Sequence, residues 1–129
     1  MWRTAVVAVL FVVLFTLFGM AEWSIGWGVR RSIQTAQGQF PGDRVKALVA
    51  MVECESCGMQ ERNRAVWALG QLDDPRALPV LERHHTGKPC DHLREVCQET
   101  LRIALRHLRH EDNNRSESFL WRWMLPVEN

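Results

Sequence analysis

Residues 62–81 read RNRAVWALGQLDDPRALPVL, and this stretch decides the fold. Ala65, Val66, Leu69 and Leu72 recur at helical spacing, so one face of a helix is apolar. Asp74 follows, a side chain able to accept from the free N–H groups that open the next helix. Pro75 suits the first helical position, where no N–H is required. Ala77, Leu78 and Leu81 then form a second apolar face. Two short amphipathic helices joined this tightly cannot bury their faces alone and must stack on similar pairs.

Working outward, Asp43 to about Val52 reads as a helix with Val45, Leu48, Val49 and Val52 on one face. Cys54 to Gly58 is a short turn, Gln60 to Leu72 the second helix, and Pro75 to about His85 the third. Thr86 to Pro89 breaks the chain. Asp91 to about Arg109 reads as a long fourth helix, with Leu93, Val96, Leu101, Ala104, Leu105 and Leu108 inward. The expected fold class is all-α, with two antiparallel helical hairpins forming a short α-solenoid over residues 43–109.

The run Ala68, Leu69, Gly70, Leu72, Asp74, Pro75, Arg76, Ala77 and Leu81 resembles a HEAT-like repeat of bacterial adaptor proteins and of the phycobilisome-lyase HEAT family. Asp73 stands where such repeats often have Gly. The resemblance implies an interaction scaffold and says little of the partner. Chromophore-lyase activity ranks last, because the chain has far fewer repeats than those enzymes.

Upstream, Thr4 to Ala21 is a run of 18 residues without charge, bounded by Arg3 and Glu22. As a helix it spans about 27 Å, close to the hydrocarbon thickness of a bilayer. Trp2 on one side and Trp23 and Trp27 on the other fit interfacial belts. Residues 1–31 are therefore expected to be a transmembrane anchor with its flanks, contacting the membrane through residues 4–21. A cleaved signal peptide ending at Gly19-Met20-Ala21 is the competing reading. Residues 32–42, SIQTAQGQFPG, read as a linker whose first half could be helical.

Sixteen basic residues face fifteen acidic ones, which argues against a nucleic-acid surface. Arg62, Arg64, Arg102, Arg106 and Arg109 are expected on solvated helix faces. No nucleophile triad, paired-carboxylate site or phosphate-binding glycine loop stands out, so no catalysis, cofactor or small-molecule substrate is expected.

The four cysteines, Cys54, Cys57, Cys90 and Cys97, open three readings. Structural disulfides suit a small domain in an oxidising compartment. A zinc site could use the same four residues, with His85 or His92 as substitutes. A redox-active Cys-x-x-Cys lacks the usual strand-then-helix setting. Topology places Cys54, Cys57 and Cys90 on one edge. A Cys90–Cys97 bridge requires Cys90 to lie in the preceding turn, since seven residues along a straight helix rise about 10.5 Å. His84, His85 and His92 bracket the second turn and are expected to be solvated or capping residues.

Residues 110–118 read as a polar linker, and residues 119–129 as a hydrophobic docking tail. Phe119, Leu120, Trp121, Trp123, Met124 and Leu125 are its candidate partner-binding residues, with folding back as a cap the alternative. Trp67, Arg62, Arg64 and Arg76 are further contact candidates, although Trp67 sits where such repeats mostly pack internally. The expectation is a single-pass membrane protein with its domain outside the cytoplasm, serving as an accessory or assembly subunit of a membrane complex. Counting positive charges alone would slightly favour a cytoplasmic domain.

Overall fold

The computed structural model describes residues 2–91, 94–111 and 125. Among these, every regular element is helical. Helix α1 spans Trp2–Gln39, α2 Arg44–Glu53, α3 Met59–Leu72, α4 Leu78–His84 and α5 Gln98–Leu108, with a short 3-10 turn, Pro75–Ala77, leading into α4.

Helix α1 runs unbroken for 38 residues, about 57 Å. Its two halves differ in kind. Up to Ala21 its described residues are all exposed, including Leu10, Phe11, Leu14 and Phe15. From Glu22 onward one stripe turns inward: Glu22, Gly26, Val29, Ile33 and Ala36 are buried. The polar stretch 32–42 is thus not a linker over most of its length. Ile33 and Ala36 continue the four-and-three spacing begun at Val29, and two apolar residues on the right face suffice to hold a helix against the core. The helix stops only at Phe40–Gly42, where Pro41 provides no N–H and Gly42 takes a positive φ of 133°.

Helix α3 occupies the centre. The second half of α1 and all of α2 pack on it, and α5 packs on it from elsewhere, with α4 against α5. One contiguous core results, with Leu48, Met51, Leu69, Leu81 and Leu101 its largest fully buried side chains. The approach of α3 to α5 depends on Gly70. A methyl group there would lie 2.8 Å from both Cα and Cβ of Ala104.

The turns carry the caps that their sequence implies. Asp43 caps α2 by accepting from the Lys46 N–H at 2.9 Å, and Asp74 accepts from the Arg76 N–H at 3.0 Å. Arg76 ties the two caps together. Its guanidinium bonds both carboxylate oxygens of Asp74 and reaches Asp43 Oδ2 at 2.8 Å. Asp73 ends α3 in the left-handed region, φ 54° and ψ 40°, which is why glycine is the usual residue there.

The fourth helix and Arg62 also differ from expectation. The fourth helix, expected from Asp91, starts at Gln98. The preceding segment folds back so that Cys90 meets Cys97, and Cys97 takes the cap position of α5 with an extended ψ of 118°. Leu93, expected on its inward face, lies outside the described residues. Arg62 is not on a solvated face: it is buried, and its Nε donates to the Val52 carbonyl at 2.9 Å, satisfying an acceptor in the last turn of α2.

Gly70→Ala is expected to lower stability by about 1–2 kcal/mol. The helix-propensity gain of about 1 kcal/mol is outweighed by overpacking against the α5 backbone. Thermal melting checks this, with Gly19→Ala, which meets nothing within 4 Å, as the control. Hydrogen bonding holds both cap carboxyls below the ordinary carboxylate range, chiefly from the Lys46 N–H at Asp43 and from Arg76 at Asp74. Their stabilising effect is therefore complete above about pH 4 and is lost as pH falls through the lowered values. Arg76→Gln should melt lower at pH 7 and show a shallower fall in Tm between pH 4 and pH 2.

Candidate functional site

Two regions bring together side chains able to do more than fill the core: the cysteine-bearing edge and a groove between α1 and α3.

At the edge, Cys54 and Cys57 are joined in a disulfide with Cα atoms 5.4 Å apart. Cys54 ends α2 and Cys57 sits just before α3, so the bond closes the connection between these helices. Cys57 Sγ also lies 3.8 Å from Gln39 Oε1 at the end of α1. Cys90 and Cys97 form a separate pair, Sγ to Sγ 2.8 Å. Cys97 is buried and Cys90 half-buried. The N–H of Glu99, in the first turn of α5, points at Cys90 Sγ from 3.2 Å. Burial raises the Cys97 thiol, but hydrogen bonds from the Cys90 thiol and from Thr100 and Glu99 outweigh it, so its pKa is lowered.

The four cysteines thus resolve into two pairs. Among the described residues no group of three or more His, Cys, Asp or Glu is arranged to hold a metal ion. His84 is partly buried, and burial followed by the nearby Arg62 charge lowers its pKa, which keeps the ring neutral near pH 7. His92 lies outside the described residues.

The Cys90–Cys97 segment is fastened by two amides that sequence inspection passed over. Asn63 of α3 accepts from the Cys97 N–H at 2.8 Å. Gln98, buried, accepts from the Thr86 N–H at 2.8 Å and donates to the His84 carbonyl at 3.1 Å. One side chain therefore joins the end of α4 to the start of α5. The only trace in the sequence is a polar residue where the expected fourth helix has its apolar positions on either side.

The groove lies beside the second half of α1. Trp27, Gly28 and Arg31 form one wall, Arg64 and Trp67 of α3 the other, and Met51 of α2 the floor; its volume is about 600 Å³. The Arg31 guanidinium carbon lies over the Trp27 ring, 5.3 Å from its centroid. Trp67 is half-buried against the core, and a methyl at Gly28 would lie 3.2 Å from its ring, so Gly28 makes room for it. Trp67 thus serves packing and lines the groove at once. Trp2, Trp23 and Trp27, the expected interfacial residues, are all exposed.

Glu22 is 8% exposed, and its Oε2 has no hydrogen-bond partner among the described residues. Of the expected tail contacts, Phe119, Leu120, Trp121, Trp123 and Met124 lie outside the described residues. Leu125 is described, and it packs half-buried against the core.

With this geometry in place, the comparison with known families gives one result: the PBS lyase HEAT-like repeat matches residues 61–84. Those residues cover α3 from Glu61, the 3-10 turn and α4. Residues 61–84 thus carry one HEAT-like repeat, and such repeats are typically non-catalytic interaction modules. No curated protein and no solved structure gives a significant match.

Gln98→Ala should leave the Thr86 N–H and the His84 carbonyl without this partner and cost about 2 kcal/mol. Hydrogen exchange is expected to rise between Thr86 and Cys97 while α2 and α3 remain protected.

Proposed function

We propose that this chain is a membrane-anchored HEAT-like interaction module, an accessory or assembly subunit of a membrane protein complex without chemistry of its own. The observation that carries the reading is helix α1. Its first half leaves large apolar side chains such as Phe11, Phe15 and Phe18 exposed around the helix, a surface that water does not tolerate and lipid does. Its second half is part of the core of a repeat domain. By length and composition such a helix suits a membrane span or a signal sequence. Continuity into the packed domain favours retention, because the anchor and the domain are then one rigid unit.

The repeat character of residues 61–84 supports a protein partner. In this reading α2 with α3, and α4 with α5, are the two antiparallel pairs, and α1 from Glu22 packs on α2 and α3. The hydrophobic stretch 119–129 is a docking tail whose Leu125 anchors it to the domain.

The disulfide of Cys54 and Cys57 supports a domain outside the cytoplasm. Cys90 and Cys97 are then a second bridge. Their sulfurs need move closer by less than about 1 Å to reach bonding distance. Exchange with an oxidising dithiol protein transfers two electrons and two protons to that protein's disulfide and leaves the S–S bond here.

Alkaline carbonate washing should leave the chain in the membrane pellet and detergent should release it, with the amino terminus upstream of Ala21 by mass spectrometry. Alkylation before reduction should label none of the four cysteines. A soluble chain beginning near Glu22 would refute the anchor, and four labelled thiols would refute the extracytoplasmic placement.

A further inference from the structure

The groove between α1 and α3 opens where α1 passes from its uncovered apolar half to its buried half. Trp27 lies six residues beyond Ala21, about 9 Å along the axis, and Arg31 about 15 Å. In a bilayer whose hydrocarbon core ends near Ala21, this is the depth of the headgroups. Side chains on a helix lean toward its amino terminus, which for α1 is the bilayer side. Arg31 does so, lying over Trp27. That cation–π contact holds the charge at the groove, where an oxyanion can meet it.

Arg64, exposed on α3, lines the opposite wall, and no described carboxylate neutralises it. The acid that lines the groove, Glu61, is turned toward the start of its own helix, its Oε2 about 3.5 Å from where a methyl on Gly58 would lie. The hydroxyls of Ser32 and Thr35 already donate to the carbonyls of Gly28 and Arg31 and so do not compete. Two cations from two helices thus face one cavity, with an indole on each wall and an uncovered apolar helix surface leading from it.

We propose that this groove is a site for an anionic phospholipid. The phosphodiester sits between Arg31 and Arg64, the glycerol lies against Trp27 and Trp67, and the acyl chains run along the apolar half of α1. The inference rests on the membrane-spanning reading. It adds a ligand class that neither the repeat nor the anchor implies, and it assigns work to Arg64, which the core does not use.

The test uses the full chain in detergent and in nanodiscs. Native mass spectrometry with added phosphatidylglycerol or phosphatidylcholine reads retained lipid, and quenching of tryptophan emission by brominated phosphatidylglycerol reads proximity. The expected result is preferential retention of phosphatidylglycerol, lowered at least tenfold in the double variant Arg31→Gln with Arg64→Gln. Arg94→Gln, on an exposed position elsewhere, should leave retention unchanged. Equal retention of both lipids, or the same preference in the double variant, would overturn the proposal. Displacement of phosphatidylglycerol by millimolar inorganic phosphate would also overturn it, by showing a site for free phosphate. Failure of the anchor reading is separable, since it appears as loss of the chain from carbonate-washed membranes rather than as loss of lipid preference.

Discussion

The contact of Val29, Ile33 and Ala36 with the core is the constraint on which the remaining structure depends. Three small or branched side chains on one stripe of α1 turn a helix that begins with no burial into one wall of a domain. Without them α2 and α3 would present an open apolar face to water, as the end of any repeat stack does. Helices α2 to α5 alone make a small core, and packing the second half of α1 on α2 and α3 enlarges it. The fully buried Val29 and Ala36 show how closely α1 is seated.

Much of this could be read in the sequence, and the failures have physical causes. The hairpin at residues 62–81 is legible because its apolar spacing, its Asp-Pro start and the Gly-position residue Asp73 all agree, and the structure puts Asp73 in the left-handed conformation. Residues 32–39 misread because their polar composition masks a stripe only two residues deep. The start of the fourth helix misread because nothing local marks it. The 86–97 segment is held by Asn63 and Gln98, partners separated from it in sequence or hidden in the helix pattern. Arg62 misread because a charged residue within an exposed-looking pattern gives no sign that its guanidinium will satisfy a carbonyl ten residues earlier.

The two cysteine pairs illustrate how the same elements confine different chemistry. The turn joining α2 and α3 is tight enough for a bond between residues three apart. Cys90 and Cys97 pair across seven residues only because α5 begins at Gln98 and does not extend back to Cys90. The Glu99 N–H at the start of α5 then falls beside Cys90, and hydrogen bonds from Cys90, Thr100 and Glu99 lower the pKa of the Cys97 thiol against the opposing effect of burial. The topology expected from the sequence places Cys54, Cys57 and Cys90 together on one edge. The folded chain separates them because one pair closes a turn and the other closes a loop.

The unbroken geometry of α1 gives the molecule a rotational phase. Each residue of an α-helix turns the axis by about 100°. The direction in which Phe11 or Phe15 points is therefore locked to the direction in which α3 and α5 stand off the same axis. One residue added or removed between the two halves would swing side chains such as Phe11 and Phe15 by more than a quarter of a turn relative to the repeat domain while leaving every contact within each half intact. The helix thus works as a keyed shaft: whatever grips its first half also sets which side of the domain faces outward.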